Sequence, residues 1–198
     1  MVAMWLILSI AAVLMFTAVN LLMRIMAIKS IQPRTFSFIF NCWGALFAVI
    51  ILFIERPSFA KINHVPAVQI LLIAAAALFY GLYERTHFLA RKHIDASTTA
   101  IIFRLSPVIA FIGSLIILKE SIELPKLMGA AFLLGSSLLV VHKNPQLKAH
   151  RALWIALFSA SALGLAWMID KPASVGIPAS FYSVILWTLP LLIIAFPS

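Results

Sequence analysis

Long apolar runs separated by short polar connections fill almost the whole chain. Seven such runs can be distinguished, over residues 2–23, 35–54, 66–90, 97–118, 124–141, 152–169 and 179–196. A helix needs about 20 apolar residues to cross a bilayer, and these runs reach or approach that length. Barrel strands are shorter and alternate in polarity. The pattern therefore predicts an all-α, polytopic membrane helix bundle with seven spanning helices and no soluble domain.

The connections between the third, fourth and fifth runs are only a few residues long. Short connections join helices that lie side by side in most bundles. We therefore expect these three helices to be antiparallel neighbours in an up-down-up arrangement.

Composition agrees with a membrane protein. Hydrophobic residues make up 64% of the chain and charged residues 11%, whereas soluble domains carry about 25% charged residues. The net charge of +9 comes mainly from Lys and Arg in short loops, which is typical of membrane anchoring. We therefore expect membrane lipids as partners and no nucleic acid.

Four short motifs follow one another within residues 80–141: a helix restart, a mid-helix proline, a charged helix end and two spaced glycines. In order, they are Ala96-Ser97, Ser106-Pro107-Val108, Lys119-Glu120, and Gly129 with Gly135. As an ordered set they resemble the EamA-like branch of the drug/metabolite transporter superfamily. The resemblance implies a ten-helix carrier of small solutes built from two five-helix inverted repeats. It implies no particular substrate.

A weak internal sequence similarity links the start of the chain to the residues after 150. The matching segments are residues 4–6 with 153–155, and 33–36 with 178–181. Two interpretations stay open: chance similarity between apolar helices, or a sixth helix that restarts the first in an inverted copy. Membrane orientation is open as well, because the more basic loops put the amino terminus outside and the resemblance implies that it is inside.

The second interpretation predicts a first five-helix repeat over 1–141, a connecting loop over 142–151, and the first two helices of a second, incomplete repeat over 152–198. Three helices of that repeat would then be missing. We expect either those C-terminal helices or a second copy of the chain, in a homodimer, to complete the carrier.

Charged residues inside an apolar helix are costly and usually have a use. Tyr80, Glu84, His87 and Arg91 follow one another at spacings of four, three and four, which places them on one helical face. Residues at equal distance from the turn near residue 94 should lie at equal depth. This mirror argument pairs Glu84 with Arg104.

Six residues are predicted to bind the solute: Tyr80, Glu84, Arg85, His87, Arg104 and Asn41. Other roles remain open for them. The Glu84–Arg104 pair could serve merely to hold two helices together. Arg85 could extend to the membrane interface, and Asn41 could be a hydrogen-bonding contact between helices.

Two arginines beside one glutamate leave a surplus of positive charge, which favours an anionic or zwitterionic, amino-acid-like solute. Pro107 frees the carbonyl of Phe103 and should bend the fourth helix next to Arg104, either as a packing kink or as part of a cavity. Near the end of the chain, we expect Asp170-Lys171 to end the sixth helix as a solvated pair and Tyr182 to anchor the membrane interface.

The sequence therefore predicts a multi-pass transporter that works by alternating access, in the plasma (inner) membrane. The alternative is a non-transporting membrane scaffold or a truncated, inactive carrier fragment. The sequence contains no metal-ligand spacing, Gly-rich phosphate loop or nucleophile-elbow serine. We accordingly expect no enzyme activity, no cofactor and no metal.

Overall fold

The computed structural model describes residues 2–57, 65–119, 121–143 and 151–195, and within these ranges the regular secondary structure is entirely helical. In chain order the helices are α1 (Val2–Lys29), α2 (Pro33–Glu55), α3 (Ala67–His93), α4 (Ala96–Phe103), α5 (Leu105–Ile117), α6 (Leu124–Lys143), α7 (Arg151–Ala173) and α8 (Ala179–Ala195). The predicted all-α class is confirmed.

Five segments are long and apolar enough to cross a membrane: Leu6–Lys29, Pro33–Glu55, Ala67–His93, Ala96–Ile117 and Arg151–Ala173. The other two predicted spans are also helices, and the parts of them that are described contain the apolar stretches Leu124–Ser136 and Ala179–Ala195. The chain is therefore a multi-pass membrane helix bundle.

The fourth predicted span is interrupted at Arg104, between α4 and α5. Pro107 has no N–H and cannot bond to the carbonyl of Phe103. The N–H of Arg104 turns back to the carbonyl of Ile101 at 3.1 Å, in a tighter turn than an α-helix has. The predicted interruption next to Arg104 is confirmed.

Several helices run further than the apolar pattern predicts, and α3 and α7 are two of them. The helix α3 ends at His93 and keeps the basic residues 91–93 in its last turn, where positive charge interacts favourably with the helix dipole. The helix α7 continues past Asp170 to Ala173, with Pro172 in its last turn.

The most buried of the spanning helices is α7, which packs against both α3 and α5. Its buried positions are mainly small residues, among them Ala152, Ala156, Ser159, Ala160 and Gly164. Small side chains let helix backbones approach closely, which is how helices associate in a solvent as apolar as lipid. On the other side of the bundle, α8 packs against α2 and α3.

The prediction that the third and fourth spans are neighbours along their lengths is wrong. Within the described part of the chain, α3 meets this span only through α4, near the connection that joins them, while α7 packs against both α3 and α5. A short connection fixes the adjoining ends of two helices, but it leaves a third helix free to lie between the rest of them.

Gly164 lies at a close approach between the backbones of α7 and α5. A Cβ atom at this position would lie 2.7 Å from the backbone oxygen of Ser106 and 2.8 Å from Cβ of Ile109. At the same crossing, the Ser106 hydroxyl donates a hydrogen bond of 2.8 Å to the carbonyl of Ala160. The crossing therefore depends on the absence of a side chain at Gly164.

We expect Gly164→Ala to lower the free energy of unfolding by about 1–3 kcal/mol, because the added methyl group overlaps the α5 backbone. Gly129→Ala is the matched control, since a Cβ atom there would have nothing within 4 Å among the described residues. That change should be neutral or stabilising by up to about 1 kcal/mol, because alanine favours the helix. Thermal unfolding in detergent measures both variants, and equal melting temperatures would contradict the contact.

Candidate functional site

The carboxylate of Glu84 forms the centre of a buried network between α2 and α3. Its Oε2 atom accepts a hydrogen bond of 2.8 Å from Nδ2 of Asn41 and lies 3.0 Å from Nε2 of His87. The hydroxyl of Ser37 donates to the backbone carbonyl of Glu84 at 2.7 Å and lies 3.2 Å from Oε2. All four side chains are buried. A carboxylate at such a position depends on donors from the protein, because lipid supplies none.

Helical spacing brings these groups together. Ser37 and Asn41 are four residues apart on α2, and Glu84 and His87 are three apart on α3, so each pair lies on one face of its helix. The interhelical contact predicted as one role of Asn41 is present, because its amide joins α2 to Glu84.

The ring of His87 is held on both sides. The Nε–H of Arg91 donates to Nδ1 of His87 at 3.2 Å. Since Nδ1 accepts, the ring proton belongs on Nε2, which can then donate to Glu84. Tyr83 stacks on the imidazole with 4.4 Å between ring centroids, and the Arg91 guanidinium lies 5.1 Å from the ring centroid of Phe103. The network thus fixes the orientation of the glutamate.

A cavity of about 170 Å³ borders this network. Its lining residues are Asn41, Tyr80, Tyr83, Glu84, Leu186 and Trp187. Within the described residues, the hydrogen bonds of the Glu84 carboxylate all go to Oε2, which leaves Oε1 without a donor. The cavity therefore combines one carboxylate oxygen that can accept a hydrogen bond with three aromatic side chains.

Trp187 of α8 lines one side of the cavity and packs against α2. A Cβ atom at Gly44 would lie 2.2 Å from Cε3 of Trp187, so the indole packs directly on the glycine. The ring of Phe40 meets the same indole edge-on, at 6.1 Å between centroids. The absence of a side chain at Gly44 sets the position of this wall.

The predicted pairing of Glu84 with Arg104 is wrong. Arg104 lies at the break between α4 and α5 with its side chain exposed, and it forms no ion pair among the described residues. The mirror argument assumed that α3 and the following span lie side by side, whereas the two meet only at their connection. Arg85 also points away from the glutamate and donates a hydrogen bond of 2.9 Å to the carbonyl of Ile193 on α8.

A second carboxylate joins α7 to two other helices. The Tyr80 hydroxyl donates to Oδ2 of Asp170, and the Tyr182 hydroxyl donates to Oδ1 at 2.7 Å. This corrects two expectations: Asp170 is half-buried rather than solvated with Lys171, and Tyr182 is buried rather than at an interface. An intramembrane acid is itself a signal of function, and it could have singled out Asp170 from the sequence.

The structure brings together Tyr80, Glu84 and Asn41 at the cavity, with His87 behind the glutamate. Arg85 and Arg104 lie elsewhere. Sequence reasoning missed Ser37, Tyr83 and Trp187. No local pattern marks these three residues, because each is defined by a contact with another helix.

A multi-pass helix bundle with a cavity lined by a carboxylate and aromatic side chains fits a membrane carrier. The sequence model of the EamA-like transporter family matches residues 3–142. The chain belongs to the EamA-like transporter family and is a membrane transporter of the drug/metabolite transporter type. Comparison with curated proteins gives no match, and comparison with solved structures gives none either.

We expect Asn41→Ala to lower the free energy of unfolding by about 1–3 kcal/mol, because the change removes a donor from a buried carboxylate. Asn20→Ala is the matched control. Among the described contacts, the Asn20 amide donates to the carbonyl of Phe16 in its own helix and to no other helix, so its loss should cost at most about 0.5 kcal/mol. Melting temperatures in detergent report both changes. Similar losses in the two variants would contradict the importance of the Asn41–Glu84 bond.

Proposed function

We propose that the protein moves a small, amino-acid-like solute across the plasma (inner) membrane by alternating access and binds it through an ammonium group. The observation that carries the proposal is the Glu84 carboxylate, in which the protein holds Oε2 and leaves Oε1 at a cavity. A carboxylate oxygen in a poorly solvated site attracts a cationic group strongly, because little water screens the interaction.

The walls of the cavity suit the same group. Tyr80, Tyr83 and Trp187 bring aromatic rings to it, and the faces of such rings attract ammonium groups within about 6 Å. Leu186 supplies an apolar surface for a short side chain. None of the described lining residues carries a positive charge.

This lining changes the charge expected for the solute. The anionic alternative depended on Arg85 and Arg104 lying beside Glu84, and neither of them lines the cavity. A simple anion would meet the carboxylate without a counter-charge. The zwitterionic alternative is retained, because such a solute presents an ammonium group to Glu84.

The volume limits the size of the solute. The cavity has a volume of about 170 Å³, which favours a small solute, and amino acids with short side chains are of that kind.

The interrupted span supports alternating access. Interrupted helices in carriers often lie at the binding site and take part in gating. Here the break at Arg104 lies at the start of α5, and α5 crosses α7 at Gly164. The helix α7 in turn packs against α3, which carries Glu84. A tilt of α5 at the break can therefore be transmitted to the cavity through α7.

Three probes with the same number of non-hydrogen atoms test the charge preference: alanine with both charges, lactate with only the carboxylate, and alaninamide with only the ammonium. In liposomes that contain the protein, we expect unlabelled alanine and alaninamide to compete with the exchange of radiolabelled alanine and lactate to have no effect. Competition by lactate equal to that by alanine would overturn the ammonium assignment. A lack of alanine exchange would favour the scaffold or inactive-fragment alternative.

Glu84→Gln should lower alanine exchange by about 10-fold to 100-fold, because a hydrogen bond to a charged group is worth about 1.5–3 kcal/mol. The amide keeps the shape of the side chain and can still accept from Asn41, so the amount of folded protein should change little. Glu55→Gln makes the same change at an exposed position at the end of α2 and should leave exchange unaltered. Equal exchange rates in the two variants would remove Glu84 from solute binding.

A further inference from the structure

Asp170 accepts hydrogen bonds from hydroxyls on two different helices. Tyr80 of α3 reaches Oδ2 and Tyr182 of α8 reaches Oδ1. The carboxylate belongs to α7 and lies three residues before the end of that helix at Ala173. A single side chain therefore joins α3, α7 and α8 beside the cavity.

The described partners of this carboxylate are the two phenol hydroxyls, and it forms no ion pair within the described residues. From α3 and α8 the titratable groups that face it are Tyr80 and Tyr182, while α4 and α5 contain no titratable side chain. On α7 itself Lys171 follows Asp170, with its side chain exposed. An ionised Asp170 therefore carries a half-buried charge whose described hydrogen-bond partners are both neutral, an arrangement that is costly within a membrane.

Protonation changes what this group can bond. An ionised carboxylate accepts from both tyrosines, whereas a carboxylic acid has a hydroxyl that donates and fewer acceptor positions. Uptake of one proton therefore removes the charge and turns one of the two tyrosine hydroxyls from a donor into an acceptor, which frees its hydrogen. Tyr80 also lines the cavity beside Glu84, so the hydrogen of its hydroxyl, once freed, can be donated to a bound solute.

We propose that Asp170 is a proton-binding site and that Tyr80 couples its protonation to solute binding, so that proton and solute cross together. The carboxylate takes its proton from water at the nearby end of α7, and water on the opposite side of the membrane accepts that proton after the bundle rearranges. This inference rests on the proposed function and adds a coupling ion to it. Glu84 keeps the recognition role instead, because Oε2 is held by Asn41 and His87 and a proton on Oε1 would remove the charge that attracts the ammonium group.

The test uses liposomes that contain the protein, with radiolabelled alanine as the probe and the membrane potential clamped by valinomycin and potassium. With an acidic exterior, we expect the parent protein to accumulate alanine inside. Asp170→Asn should lose gradient-driven accumulation, and its remaining alanine exchange in the absence of a gradient should no longer depend on pH, because the amide cannot carry a proton across. Asp95→Asn, the same change at an exposed residue before α4, should keep both activities.

Each failure has a distinct meaning. Exchange by the parent protein without accumulation under the gradient would overturn proton coupling and leave the proposed transport function standing. Accumulation by Asp170→Asn equal to that of the parent would remove Asp170 from the coupling. If the parent protein exchanges no alanine, the proposed function fails and this inference fails with it.

A second measurement does not depend on the folding of a variant. Because binding of solute and proton must favour each other equally, alanine added to the parent protein in weakly buffered detergent should cause uptake of up to about one proton per chain. The apparent affinity for alanine should likewise rise as the pH falls. Proton release on alanine binding, or no change in the presence of bound alanine, would overturn the coupling through Tyr80.

Discussion

An ionised carboxylate inside a spanning helix must find its hydrogen-bond donors within the protein, and Glu84 imposes this requirement on the bundle. Its donors come from two helices: Ser37 and Asn41 from α2, and His87 from α3 itself. Removing any one of them would leave a buried polar group with fewer partners, which costs more than the bond contributes when it is present. The network therefore fixes the register of α2 against α3. It also orients the carboxylate so that its remaining oxygen lies at the cavity.

The small residues of α7 allow the other helices to close around this network. The Ser159 hydroxyl lies 3.4 Å from the backbone oxygen of Tyr83, and Gly164 lets α5 approach from its own side. With larger side chains at these positions, α3 could not lie close to α7, and Asp170 could not reach the hydroxyl of Tyr80. The packing of α7 thus determines which polar groups meet, although few polar groups lie on α7 itself.

The features that depend on local sequence could be predicted. The lengths of the apolar runs predicted the helices. Helical spacing placed Glu84, His87 and Arg91 on one face of α3, and Pro107 predicted the interruption at Arg104. The partners of those side chains could not be predicted in the same way, because they depend on which helices are neighbours. The inverted repeat and the division of the chain at 141 and 152 stay predictions. A Cβ atom added at Gly129 or Gly135 of α6 would meet no described atom within 4 Å, whereas a close crossing lies at Gly164 of α7.

The two intramembrane carboxylates differ in a way that suits them to different tasks. Around Glu84 an amide nitrogen and a histidine nitrogen held by Arg91 act as donors, so protonation of Oε2 would leave buried donors facing another donor. Around Asp170 both partners are hydroxyls, which can either donate or accept. Asp170 can therefore gain a proton while its neighbours reorient, whereas a proton on Glu84 would have to bind Oε1 and would remove the charge that attracts the ammonium group. Recognition of a cationic group and binding of a proton are thus separated in space, and Tyr80 contacts both sites.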